Sequence, residues 1–374
     1  MQYTEYELGE LLPFEQPTAY IVKSTDYCDA YATPVLTAGK SFILGKTNET
    51  DGIFDQLPVI IFDDFTTATQ FVNFRFKVKS SAMKILHINT DLVIPKYIFY
   101  RLQIIQFDHS THKRYWIQSY SKIKVLIPPL DEQFRIVARI EELFSELDKA
   151  VDTLKTTKEQ LEVYRQAVLK DAFSDFEKKD SIRNLTTVVT SGSRGWAKYY
   201  SNSGALFVRI GNLTHSGIDI DFRDIQHITP PDNAEGVRTR LQPNDVLVSI
   251  TADLGSIGFV SEKVEEAYIN QHIALVRFQN PVQGRFMAWY LRSEYGQKDL
   301  LKNKRGGGKL GLGLDDIRDT PVPIVSDLVA QKTVDEIEER LSVCDSIEKT
   351  VDATLAQADA MRQSILKQSF EKKI

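Results

Sequence analysis

Two blocks of the chain, 131–173 and 328–370, contain neither glycine nor proline, and both carry apolar side chains at seven-residue intervals. In the first block Ile140, Leu147, Leu154, Leu161 and Val168 form one series, and Leu143, Ala150, Thr157 and Tyr164 a companion. In the second, Ile337, Cys344, Val351, Ala358 and Ile365 hold the spacing, while Val334, Leu341, Glu348 and Leu355 are interrupted by a glutamate. A heptad pattern of this length belongs to a helix packed along another helix. Forty-three residues at a rise of ~1.5 Å each span roughly 65 Å, too far for a helix with no partner along it. Pro128 and Pro129 stop the segment before the first block, and Pro321 and Pro323 stand before the second. The expectation is that the two helices pack on each other, antiparallel, as a coiled coil.

The blocks also share identities. VLIPPLDEQ (125–133) answers PVPIVSDLVAQ (321–331), with Gln133 opposite Gln331, and RQAVLKDAF (165–173) answers RQSILKQSF (362–370). The offset is 198 residues at the front and 197 at the back, so the duplication includes a one-residue insertion. The region before each helix repeats more faintly: TPVLTAGK (33–40) with ALFVRIGN (205–212), LPVIIFDDF (57–65) with PNDVLVSITAD (243–253), SSAMKIL (80–86) with INQHIALVRF (269–278), and PKYIFYRLQII (95–105) with GRFMAWYLRSE (284–294). Short β-branched runs with turn signals and few helices predict an α+β fold in each region. The architecture therefore reads domain, helix, domain, helix, divided at 1–128, 129–178, 179–323 and 324–374. Two related domains would lie at opposite ends of an antiparallel helical pair, with pseudo-two-fold symmetry.

The formal net charge of −5 argues against a nucleic-acid partner only as an average. Residues 130–180 carry 9 basic and 13 acidic side chains and 326–374 carry 7 and 10, whereas 1–129 carry 13 and 13 and 181–325 carry 17 and 15. The acidity belongs to the helices, whose outer faces suit a protein partner; the domains between them are neutral or basic. With 42% hydrophobic residues the chain can bury substantial cores. No apolar run is long enough for a membrane span, and MQYTEYELGE (1–10) has no secretory character. Cys28 and Cys344 cannot build a disulfide framework, so a reducing cytoplasm is expected.

IPPLDEQFRIVARIEELFSELD (127–148), LGELLP (8–13), PVLTAGKSFILG (34–45) and FVRIGNL (207–213) ahead of LQPNDVLVSI (241–250) resemble the specificity subunits of type I restriction–modification systems. The resemblance covers essentially the whole chain, with one departure: the second helix has Ala330 and Gln331 where the first has the Glu-Gln pair. It implies two target-recognition domains, each reading half of a bipartite DNA site, and a helix pair that sets the gap between halves. It further implies a noncatalytic subunit with no cofactor of its own. Its partners would be double-stranded DNA, two methylation subunits that carry S-adenosylmethionine, and ATP-driven restriction subunits.

Contact with DNA needs cationic and amide side chains on polar loops, for phosphate affinity and for base edges. In the first domain Ser110, Thr111, His112, Lys113, Arg114 and Tyr115 combine these features, with Arg114 suited to a guanine edge and Lys113 to phosphate. In the second, Lys302, Lys304, Arg305 and Lys309 surround a glycine run that includes Gly307, where backbone amides can approach phosphate oxygens. Thr37 and Lys40 correspond in position to Arg209 and Asn212, and Arg194 and Lys198 lie in the polar loop TSGSRGWAK (190–198). Each of these loops also reads as a solvated turn.

Enzyme readings fare worse. GGGKLG (306–311) lacks a surrounding dinucleotide unit, and Lys309 is followed by Leu310, so there is no P-loop. There is no Asn-Pro-Pro-aromatic methyltransferase motif; Glu177 and Lys179 lack the preceding Pro-Asp of a nuclease; His109 and His112 lack a third metal ligand. The alternative from another class is a coiled-coil adaptor that binds only protein.

Overall fold

The computed structural model describes residues 3–37, 41–108, 114–231, 234–302, 304 and 310–371. The two blocks free of glycine and proline form continuous helices, Leu130–Phe173 and Asp327–Glu371. The chain divides into two compact units, residues 1–153 with 354–374 and residues 154–353, so each long helix contributes one stretch to each unit.

Both units hold three corresponding sheets in the same chain order, the smaller sheet having one more strand in the second unit among the described residues. In the first, Thr4–Glu7 pairs antiparallel with Lys124–Ile127. A four-stranded sheet runs Phe14–Glu15, Met83–His87, Val59–Asp63, Thr69–Val72, and a three-stranded sheet Ile43–Thr47, Thr33–Leu36, Lys77–Val78. In the second, Lys178–Ser181 pairs with Pro321–Pro323. Its central sheet runs Thr186–Ser191, Ile273–Phe278, Val246–Ser249, Ile257–Phe259, and the smaller sheet Tyr200–Ser201, Gln226–Ile228, Ala205–Val208, Ala267–Ile269. The smaller sheet has one parallel pair in each unit, Thr33–Leu36 with Lys77–Val78 and Ala205–Val208 with Ala267–Ile269. After the last central-sheet strand comes a helix, Pro95–Leu102 or Gln283–Arg292.

The central strands are buried throughout because both faces are covered. Side chains alternate across a strand, and here they alternate between two cores. Ile60 and Phe62 face a core with Leu86, Tyr97 and the helix residues Ile136, Ile140 and Leu366, while Val59 and Ile61 face a second core with Leu36, Phe76 and Val78. In the other unit Val246 and Val248 join Phe173, Phe286, Ile337 and Leu341, while Leu247 turns to Val208, Leu213 and Ile269. One face of each central sheet thus carries the long helices, and the other carries the smaller sheet.

Within each unit the helix stretches pack antiparallel. In the first, Phe144 and Asp148 of one helix meet Arg362 of the other, and Tyr97 lies edge-on to Phe370. In the second, Lys158 pairs with Asp352 at 2.8 Å, Arg165 with Asp345 at 2.7 Å, and Asp171 with Arg340 at 2.8 Å, one number rising as the other falls. Exposed pairs contribute at most about 1 kcal/mol each. A buried Val, Leu or Ile contributes about 1.5–3 kcal/mol, so Val168, Ile337 and Leu341 carry the packing. The companion series of the first helix lies at the margin of the contact: Ala150 and Tyr164 are exposed, and Tyr164 meets Arg340 of the other helix. Glu348, which interrupts the second helix's pattern, is half-buried and accepts from Arg165 at 2.9 Å. The guanidinium of Arg165 is itself buried beside it.

The Gln133–Gln331 correspondence fails in space. Gln133 is fully buried. Its Oε1 accepts from the Ile94 amide at 2.8 Å, and its Nε2 donates to the carbonyls of Leu92 at 3.0 Å and Pro128 at 2.9 Å. It staples the helix to its domain. Gln331 is exposed and bonds only Asp335 of its own helix among the described residues. In that unit the staple comes from the domain side: Gln283 donates to the Val325 carbonyl and to Asp327, and Asn280 also donates to Asp327. Gln133→Ala strands three backbone groups and is expected to cost about 3 kcal/mol. Gln331→Ala should stay within about 0.5 kcal/mol. Chemical denaturation compares them, and equal losses would remove the staple from the account.

Candidate nucleic-acid interface

In the first unit the charged loop enters its helix from the end of the central strand. Asp64 follows that strand, with its side chain buried against Lys84 at 3.3 Å. Its Oδ1 accepts from the Trp116 amide at 2.8 Å and its carbonyl from the Tyr115 amide at 2.9 Å. Ser110, Thr111, His112 and Lys113 lie outside the described residues, as does Lys40. Arg114 is exposed at the exit of the loop. Tyr115 is placed differently from its expected role: its ring is buried and stands edge-on to Phe107 at 5.0 Å, so it anchors the loop instead of presenting a ring to bases. Thr37 follows strand Thr33–Leu36 half-buried, its amide bonded to the Phe42 carbonyl.

The second unit uses the same end of its central strand. The Leu312 amide donates to the Ile250 carbonyl at 2.9 Å, and Gly311 bridges to Thr251, which fixes the exit of the glycine-rich segment. Lys302 and Lys304 are exposed at its entry; Arg305, Gly307 and Lys309 lie outside the described residues.

The polar loop 190–198 is held from below. Arg238 donates to Thr190 Oγ1 and the Ser191 carbonyl, both at 2.6 Å, and to Ser193 Oγ at 2.8 Å. A Cβ on Gly192 would sit 2.4 Å from the Asn270 backbone, so only glycine permits this approach. Trp196 is buried, stacked on Phe207 at 5.1 Å, with its indole N–H on Glu235. Arg194 and Lys198 stay exposed, the latter with its ammonium 4.8 Å from the Tyr199 ring.

Arg209 donates to the Asp224 carbonyl at 3.2 Å and faces its carboxylate at 3.4 Å. Asn212 is 3% exposed. It accepts from the Arg209 amide and donates to the carbonyls of Asp221 and Asp224. Its amide is committed to the loop, which places it as a local brace behind Arg209.

Arg194, Thr251, His272, Gly311, Asp315 and Asp316 line one cavity of about 620 Å³. The structure thereby brings Arg194 to the exit of the glycine-rich segment, while Arg209 and Asn212 line a separate recess with Asp224. Asp64, Lys84, Arg238 and His272 are absent from the sequence-derived set. A lone charge in an apolar run, such as Lys84 in SSAMKIL (80–86), marks a buried partner, but which partner depends on strand pairing.

No protein-family model matches the chain. A 174-residue stretch is 45% identical to the EcoR124I/EcoR124II specificity subunit of Escherichia coli, covering 43% of each protein. Its curated homologues are type I restriction enzyme specificity subunits. The EcoBI subunit of Escherichia coli is 24% identical over 65% of this chain and 57% of its own length, and the StySPI subunit of Salmonella potsdam 27% over 67% and 58%. The matches thus span less than two thirds of these relatives. Among solved structures, one described as the basis of complex assembly and conformational transition of the type I R-M system superposes with a TM-score of 0.69 at 16% identity, covering 100% of this chain and 98% of that one. The HsdS subunit from Thermoanaerobacter tengcongensis superposes at 0.56 with 15% identity, covering 100% and 97%. The fold is that of the type I specificity subunits.

Asp64→Ala leaves the Lys84 ammonium buried without its counter-charge and should cost about 3–5 kcal/mol. Asp64→Ala with Lys84→Met should recover most of the loss. Thermal unfolding of both variants checks this; a double variant as unstable as the single one would place the anchor elsewhere.

Proposed function

We propose that this chain is the DNA-reading, noncatalytic subunit of a type I restriction–modification complex. The observation that carries the reading is the duplicated arrangement: the two units hold corresponding sheets, and each ties a charged loop to the same end of its central strand, at Asp64 and at Ile250. Two such loops in one chain suit the two halves of a bipartite site. In this reading the recognition domains are 1–128 and 179–323. The helices in 129–178 and 324–374 act as an antiparallel coiled coil that sets the spacing between half-sites. Their acidic faces receive two methylation subunits, which hold S-adenosylmethionine, and restriction subunits join that assembly in the cytoplasm. Among the described residues no helix is long and apolar enough to cross a membrane.

Duplex binding by the full chain should fall steeply with salt. Six or more phosphate contacts imply a loss of about a thousand-fold or more between about 50 and 200 mM salt. Lys302→Glu with Lys304→Glu should weaken binding to all sequences alike and reduce the slope of log affinity against log salt by about two. A salt-independent chain would be a protein-only adaptor instead.

A further inference from the structure

The cavity at the foot of the glycine-rich segment has an uneven chemistry. Arg194 lines it, exposed and without a hydrogen bond or ion pair among the described residues. It shares this with Arg292, which is half-buried, whereas Arg183, Arg209, Arg223, Arg238, Arg240, Arg277, Arg285 and Arg318 have carboxylate or backbone partners. Asp315 and Asp316 line the same cavity. Asp315 is held ionised by hydrogen bonds from Arg318 and Arg183, and Asp316 accepts from the Gly313 amide. The floor is rigid. His272 bonds both Thr251 and Gln271, and its backbone bonds the Asn270 side chain and the Ile250 amide. Arg238 and the Gly192–Asn270 approach fix the loop that carries Arg194 against the backbone next to His272.

A phosphate does not suit this recess, because two carboxylates share it. A base pair with acceptors at one end and a donor at the other does. Guanine presents O6 and N7 to a guanidinium fork, and its partner cytosine presents an N4 amino group to a carboxylate. With adenine towards Arg194, an A·T pair places the thymine O4 acceptor towards a carboxylate, which is repulsive; turned round, thymine offers the guanidinium fork one acceptor where guanine offers two.

Resting on the DNA-reading function above, we infer that this cavity reads one G·C pair from the major groove, with Arg194 on guanine and Asp315 on cytosine, and that Arg238 is a positioning residue for Arg194.

The test is selection of binding duplexes by the purified full chain from 30-base-pair DNA with a randomised interior. Wild type should select a fixed G·C pair that Arg194→Ala leaves degenerate while its salt slope is unchanged. Replacing that guanine with 7-deazaguanine, which lacks N7, should weaken wild type about ten-fold and Arg194→Ala not at all. Arg194→Lys, which keeps the charge but not the fork, should also lose the preference. Arg238→Ala should blur it while the Arg194 charge remains. Three results would overturn the inference: an Arg194→Ala variant with the wild-type preference; one weakened on every sequence with a slope lower by about one, the mark of a phosphate contact; or a selected pair of A·T at the position that responds to Arg194. A wild type that selects no sequence at all would sink the DNA-reading function along with it.

Discussion

Coverage of the central strands on both faces is the constraint on which the rest depends. Val59–Asp63 and Val246–Ser249 have no solvated side. One set of alternate side chains must meet the long helices and the other the smaller sheet. A one-residue slip would exchange the two sets and strand helix-facing aromatics such as Phe62 in the wrong core. Since the edges and faces are occupied, the strand ends are where polar chemistry can gather, and both charged loops are tied there.

The helices show how a local defect in a pattern becomes useful. Glu348 is a poor heptad residue, and it lies where a buried arginine of the facing helix requires a carboxylate. Among the described residues, without Glu348 the arginine keeps only Asp345, and without Arg165 the glutamate keeps only Lys158 at 3.5 Å. The pair adds little net stability by itself, but it ties the alignment of the two helices in that unit to one set of side chains.

Much of this was legible in the residues. The helices were visible because absence of glycine and proline, heptad spacing and length all point the same way. The faint repeat of the domains was visible as an order of pieces, and the same order of sheets occurs in both units. The individual roles were harder to see. Tyr115 and Asn212 are polar residues in charged or glycine-containing segments, which reads as contact; burial turned one into a core ring and the other into a loop brace. Arg238 lies 45 residues from Ser193, which it supports, and no spacing rule links them. Gln133 and Gln331 are equivalent by alignment, yet the neighbouring backbone offers carbonyls to one and water to the other.

That last difference bears on how portable each domain is. At the first joint between helix and domain, beside the apolar contacts of Ile136 and Ile140 and the Lys96–Glu141 ion pair, the buried glutamine bonds main-chain atoms, which any domain of this fold could offer whatever its side chains. The second joins Asn280 and Gln283 to Asp327, a match between particular residues that must travel together. Exchange of domains between chains of this fold should therefore keep the glutamine's bonds at the first joint, and should require Asn280, Gln283 and Asp327 to move together at the second.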